Sequence, residues 1–283
     1  MSIISCEVDY YHSQKNAQPL LLAFHSLVIK KMNMSQTDSK NADEHAMQAA
    51  DAANETESAV VYEHVILKIL ETNYVTHDVK RFVLEKPPGY RFIPGQSVHV
   101  SINLPEWDKK LRPFTFTNLP EDNYLEFMIK IYRHHNGVTK KLESLLAGDE
   151  LILHDVFGEI QYKEDGVFIA AGSGITPFLS IFRSLHKQKQ IHKNILIYSN
   201  KTAEDVIMGE SLHKMLRNNF IMVFTRENVI GFIERRIDRN FIIDHIRDFK
   251  QHFYICGPEN FVKSIRQILM DLGAATEHII FDE

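Results

Sequence analysis

From residue 60 onward the chain carries short apolar runs, at 60–70, 79–84, 97–102, 125–132 and 150–153, in which β-branched and aromatic residues alternate with polar ones. Pro, Gly, Asn and Asp separate these runs, and that spacing predicts strands joined by turns in a small antiparallel β-barrel. After Gly166 the rhythm changes. Runs at 167–171, 195–199, 220–225 and 252–256 read as strands, while 177–187, 203–217 and 259–272 read as helices. In the last of these, Phe261, Ile265, Ile268, Leu269 and Leu272 return to one helical face. Strands alternating with helices predict an α/β domain built on a parallel sheet. The expected organisation is an extension over 1–59, a barrel over 60–160 and an α/β domain over 161–283, with the change between 158 and 166.

The first 59 residues follow no such pattern. The stretch 33–58 has no aromatic, Val, Leu or Ile residue, so it cannot bury enough surface to offset the entropy of ordering, and it reads as disordered. The apolar run at 20–29 is far shorter than the ~20 residues of a membrane helix. No basic segment precedes it, so a secretory signal is poorly supported and the expected location is cytoplasmic.

Composition narrows the chemistry. The net charge is −5, and 1–59 holds four basic and eight acidic groups, so the remainder is close to neutral. A near-neutral body gives no broad basic field for nucleic acid. Two cysteines, Cys6 and Cys256, exclude a disulfide framework, a four-thiolate zinc site and a self-contained iron–sulfur cluster. Adjacent His134 and His135 would point to opposite faces of a strand, and with no carboxylate or thiol nearby they do not read as a metal site.

Four motifs carry candidate chemistry. The strand 167–171 runs into Gly172, Ser173, Gly174, Ile175 and Thr176, followed by Pro177. The glycines permit a tight turn and close approach of a ligand, Thr176 can cap a helix whose first residue is Pro177, and the open amides at that end favour a phosphate. An ordinary strand-to-helix turn would also use Gly, Thr and Pro. A second strand ends in Cys256, Gly257 and Pro258. Cys256 alone would read as a small buried residue, but both turns fall at the carboxyl ends of parallel strands, where open α/β sheets bind ligands. In the first half, Arg112, Pro113, Phe114 and Thr115 combine forked donors for a pyrophosphate, an aromatic face and a hydroxyl. Further on, Gly137, Val138 and Thr139 offer backbone donors at a helix start.

Taken in order with the approach Phe92-Ile93-Pro94-Gly95-Gln96, these motifs resemble the ferredoxin–NADP reductase superfamily, especially its flavodoxin reductase-like members, over residues 62–283. The resemblance implies a six-stranded FAD-binding barrel, a five-stranded NAD(P)-binding domain and an active site between them. It implies that Arg112 pairs with the flavin pyrophosphate, that Phe114, in place of a common Tyr, lies against the isoalloxazine, and that Thr115 bonds its N5. Pro113 belongs to the same motif. Gly137, Val138 and Thr139 would cradle the flavin phosphates, and 172–176 the nicotinamide cofactor's pyrophosphate. Cys256, Gly257 and Pro258 would border the nicotinamide, which makes Thr115 and Cys256 the catalytic candidates. Thr225-Arg226 resembles the position that grips the 2′-phosphate of NADPH, with Lys201, Arg235 and Arg236 as helpers, so NADPH is favoured over NADH. Many relatives end in an aromatic residue that covers the flavin, whereas 279–281 reads here as a final strand.

The implied function is hydride transfer from NAD(P)H to FAD, then single-electron transfer to a separate carrier such as flavodoxin or ferredoxin. FMN in place of FAD is the less favoured cofactor. A reductase component of an oxygenase system and a non-enzymatic flavin- or nucleotide-binding docking or sensor protein are the alternatives.

Overall fold

The structure, a computed structural model, describes residues 64–158, 160–227 and 233–281. The extension read as disordered lies outside them.

Six antiparallel strands make the first sheet: β1 (Val65–Tyr74), β2 (Val79–Glu85), β3 (Ser97–Ile102), β4 (Arg112–Thr115), β5 (Tyr124–Lys130) and β6 (Glu150–Phe157). Their order is β4-β3-β6-β1-β2-β5. Just past β4 the Thr117 amide donates to the Glu126 carbonyl of β5 at 2.9 Å, joining the two ends of the sheet into a barrel. The period-two alternation of a strand shows directly. Leu67 and Ile69, Phe82 and Leu84, and Leu125, Phe127 and Ile129 all turn inward to one core. Helix α1 (Val138–Glu143) closes that core with Val138 and Leu142.

The second sheet holds β7 (Gly166–Ala171), β8 (Ile195–Asn200), β9 (Phe220–Phe224), β10 (Ile233–Glu234), β11 (His252–Cys256) and β12 (Ile279–Phe281). All are parallel, in the order β10-β9-β8-β7-β11-β12. Successive residues of β7 face opposite layers. Phe168 and Ala170 pack with α2 (Thr176–Lys187) and α3 (Gly209–Leu216), while Val167 and Ile169 pack with α4 (Arg239–His245) and α5 (Glu259–Asp271). The strand order reverses at β7, so a crevice opens beyond its carboxyl end. The antiparallel barrel and parallel α/β sheet are the fold that the pattern predicts, and β12 takes the segment read as a final strand.

Three elements differ from expectation. The helix expected at 203–217 is broken into a 3₁₀ turn (Ala203–Asp205), α3 and a second 3₁₀ turn (Arg217–Asn219). Asp205 accepts from both the Thr202 amide and the Thr202 hydroxyl, at 2.9 and 2.8 Å, which closes the first turn on itself. Met208 then takes a left-handed φ of 56°, which interrupts the winding before Gly209. Helix α4, capped by Asp238 accepting from the Phe241 amide at 2.7 Å, has no counterpart in the sequence reading. The sheet also gains the two-residue β10, giving six strands instead of five.

Candidate active site at the strand ends

At the end of β7 the chain winds at once. Gly172 takes φ +54°, and the Gly172–Ile175 3₁₀ turn runs directly into α2. Thr176 is therefore helical and does not cap: its hydroxyl donates to the Ser173 carbonyl at 3.0 Å, and the extended residue at the start of the winding is Ala171. The expectation for Thr176 fails because the helical path begins at Gly172, five residues earlier than Pro177 suggests. Ile175 is fully buried and can offer a ligand only its backbone. Gly174 is required by contact, since a Cβ there would lie 2.4 Å from the Cys256 carbonyl oxygen and 2.6 Å from the Gly257 nitrogen. The two strand-end turns thus pack backbone to backbone. Tyr198 of β8 steadies the first, its buried hydroxyl donating to the Gly172 carbonyl at 3.0 Å and accepting from the Ile207 amide at 3.3 Å. Burial pushes its phenol well above the ordinary value, so it stays a neutral donor.

Beyond these turns lies a cleft of about 390 Å³. Gly172 and Ser173 line it from the turn after β7, Asn200 and Lys201 from the end of β8, Pro258 from just past β11, and Lys130 and Tyr132 from the barrel. Asn200 is 4% exposed, yet neither its amide nitrogen nor its amide oxygen has a hydrogen-bond partner. Leaving such atoms unsatisfied costs on the order of 1–3 kcal/mol. One donor and one acceptor shielded in a cleft beside a glycine turn fit a nucleotide, whose sugar and amide groups both give and take hydrogen bonds. Asn200 was not singled out from sequence, where it is only the polar residue ending an apolar run.

Of the 2′-phosphate candidates, Arg226 is exposed at the end of β9, its amide bonded to the Lys201 carbonyl at 3.0 Å. The adjacent Glu227 carboxylate accepts from the Ala203 amide at 2.7 Å. Arg235 is paired with Asp238 at 2.9 Å and with Asp244 at 3.5 Å, which makes it a poorer helper than Lys201, itself on the cleft wall.

The flavin-type residues lie on the barrel. Arg112 and Pro113 are exposed on β4, Phe114 sits opposite Val98 and packs half-buried against the barrel core, and the Thr115 hydroxyl shares a 3.0 Å hydrogen bond with Ser97. The Arg112 guanidinium spends one donor on the Leu111 carbonyl at 2.7 Å. Gly137 is the N-cap of α1, with no side-chain cap and nothing within 4 Å of a Cβ position. The first amides of that helix, including those of Val138 and Thr139, have no partner inside it. Val138 itself points into the core, so it too can offer only backbone. At the other end of α1, buried Lys80 donates to the carbonyls of Glu143 and Leu145 at 2.9 and 2.7 Å. Burial lowers its pKa, against the opposing pull of Glu143 and Asp149. Open amides at one end, a cation at the other and exposed Arg112 donors suit an anionic cofactor such as FAD. His134 and His135 are exposed in the turn before α1.

Comparison with known proteins gives the same assignment for both halves. Residues 64–197 match the family model of the FAD-binding domain, and residues 168–267 that of the oxidoreductase NAD-binding domain. The flavohemoprotein of Bacillus subtilis (strain 168) is 22% identical over 214 residues, covering 70% of this chain and 53% of that protein. Cytochrome b5 reductase 4 of Bos taurus is 27% identical over 234 residues, covering 72% and 44%. The chain spans about half the length of these curated relatives. Among solved structures, a ferredoxin NADP+ reductase from Neisseria gonorrhoeae with bound FAD and NADP superposes with a TM-score of 0.70 at 22% identity, covering 78% of this chain and 98% of that one. Fold, strand-end turns and both matched domains agree: the chain carries an FAD-binding domain followed by an oxidoreductase NAD-binding domain, in the fold of that ferredoxin NADP+ reductase structure.

Proposed function

We propose that the chain is an FAD-dependent NAD(P)H oxidoreductase that passes a hydride from NAD(P)H to the flavin and then single electrons to a separate carrier such as flavodoxin or ferredoxin. The observation that carries this reading is the cleft itself. Its walls come from the Gly172 turn and Asn200 on one side and from Lys130 and Tyr132 of the barrel on the other, and Asn200 presents a shielded, unsatisfied amide to it. When bound, flavin supplies the exchange between a two-electron donor and one-electron acceptors. The protein's task is to bind and orient. On this reading Arg112 and the amides of Gly137, Val138 and Thr139 hold the flavin pyrophosphate, Phe114 supports its ring and Thr115 offers a hydroxyl at its edge. The turn of 172–175 takes the nicotinamide cofactor's pyrophosphate, the Thr176 amide being spent on the Ser173 carbonyl; Cys256, Gly257 and Pro258 border its reacting ring, and Arg226 with Lys201 selects NADPH. Alignment of two bound reactants lowers a barrier by as much as ~7–11 kcal/mol.

Two measurements test this reading. Mass analysis of the released cofactor is expected to give FAD. Reduction of flavodoxins, ferredoxins and cytochrome b5 is then compared with NADPH and NADH as donors. NADPH-dependent reduction of a flavodoxin or ferredoxin is expected, and reduction of cytochrome b5 alone would overturn the acceptor assignment.

A further inference from the structure

Helix α2, which starts at the Gly172–Ile175 turn, is held to the barrel by a charge cluster close to Thr115, in which Glu126 is buried, Arg81 and Arg183 are partly buried, and Arg81 also pairs with exposed Glu71 at 3.1 Å. The period-two pattern of β2 and β5 puts Val79, Arg81, Glu126 and Met128 on the outer face of the barrel, against α2. Glu126, its side chain 3% exposed, accepts from Arg81 Nε at 2.6 Å, from an Arg183 guanidinium nitrogen of α2 at 2.7 Å and from the Thr117 hydroxyl at 2.7 Å. Arg183 also donates to the Thr117 carbonyl. Ser180, one turn earlier on α2, donates to the Asn118 carbonyl at 2.8 Å, and Lys187, one turn later, pairs with Glu121 at 2.6 Å. One face of α2 thus grips the segment leaving β4, two residues beyond Thr115, while the same helix begins at the nucleotide turn.

Apolar contact already packs barrel and sheet together, because Val79 and Met128 belong to the same buried cluster as Phe178 and Leu179. That adhesion is non-directional. A buried ion cluster adds little net stability but fixes one arrangement, since its bonds are satisfied only there. We propose that the Arg81–Glu126–Arg183 cluster is a latch that sets the separation between flavin-binding β4 and the nucleotide-binding turn, making Glu126 and Arg183 positioning residues for electron transfer between the two cofactors. This proposal rests on the reductase reading above.

The test uses Glu126→Gln, Arg183→Met and Arg183→Lys in the full chain with its flavin. Rapid mixing with NADPH separates the limiting rate of flavin reduction from the apparent nucleotide Kd, and hydrogen exchange follows the amides of 116–119 and 173–176. A displacement of 1 Å can cost ~100-fold in rate. The latch predicts a limiting rate lowered by about tenfold or more in Glu126→Gln and Arg183→Met, with nucleotide Kd and flavin content nearly unchanged and faster exchange at both segments. Arg183→Lys, which keeps the charge without the fork, recovers part of the rate. Unchanged limiting rates with only a lowered Tm, or losses of flavin and nucleotide affinity in proportion to the rate, would overturn it. If the wild type is reduced by neither nucleotide, the reductase reading fails; the exchange data then decide the latch alone, and unchanged exchange at either segment sinks it.

Discussion

Asn200 separates binding from stability in a way few residues do. Its buried amide is unsatisfied, so Asn200→Ala should leave the nucleotide-free protein as stable as before or slightly more so, while nucleotide binding weakens. A lost hydrogen bond of about 1 kcal/mol corresponds to roughly a fivefold rise in nucleotide Kd, which isothermal titration would read beside an unchanged or raised Tm. Arg226 offers a second contrast. It is exposed next to Thr225 of the cleft wall. Arg226→Ala should cut kcat/KM for NADPH about tenfold and leave that for NADH nearly unchanged, and survival of the NADPH preference would remove the residue from the specificity role. Arg112, Gly137 and Gly172 stood out in the sequence only as members of an ordered set of motifs, since each alone also suits an ordinary strand edge or turn. The burial of the Asn200 amide is not visible in the sequence, because it is created by the fold: Thr225, distant in sequence, takes the Asn200 carbonyl and leaves the side chain enclosed.

Among elements, the Gly172–Ile175 turn makes two different demands on its glycines. At Gly174 a Cβ would meet backbone atoms of Cys256 and Gly257, which cannot move without shifting β11. At Gly172 a Cβ would meet nothing within 4 Å, and the cost is only that of φ +54°, about 1–2 kcal/mol. Gly174→Ala should therefore destabilise more than Gly172→Ala, although only Gly172 has a positive φ; denaturant midpoints of the two variants check this order. Strands β2 and β5 were legible as short β-rich runs, although both of their faces are buried, one in the barrel and one against α2. The helix at 203–217 misled because its apolar spacing is correct for Leu212 and Leu216, whereas the break is local polar chemistry at Thr202 and Asp205. Helix α4 escaped notice because only Phe241 and Ile242 of its seven residues are buried, too few to set a period.

For the whole molecule, the connection between the halves is what one dimension conceals most. Arg81, Glu126 and Arg183 are separated by 45 and 57 positions, so no motif spacing joins them. Burial would raise the Glu126 carboxyl, but the Arg183 charge and the bonds from Arg183, Thr117 and Arg81 outweigh it and hold the group below its ordinary 4.5. Its stabilising contribution is therefore complete above that unfolded value and lost as pH falls through the lower folded one. As pH falls below the ordinary 4.5 the wild type should lose more stability than Glu126→Gln, and parallel unfolding curves for the two would contradict the linkage. The two cofactor assignments meet in a single observable event. Purified protein, yellow with bound flavin, should lose its flavin absorbance when mixed anaerobically with NADPH, and less readily with NADH. A flavin that stays oxidised with both nucleotides would contradict the reductase reading and leave a binding module in its place.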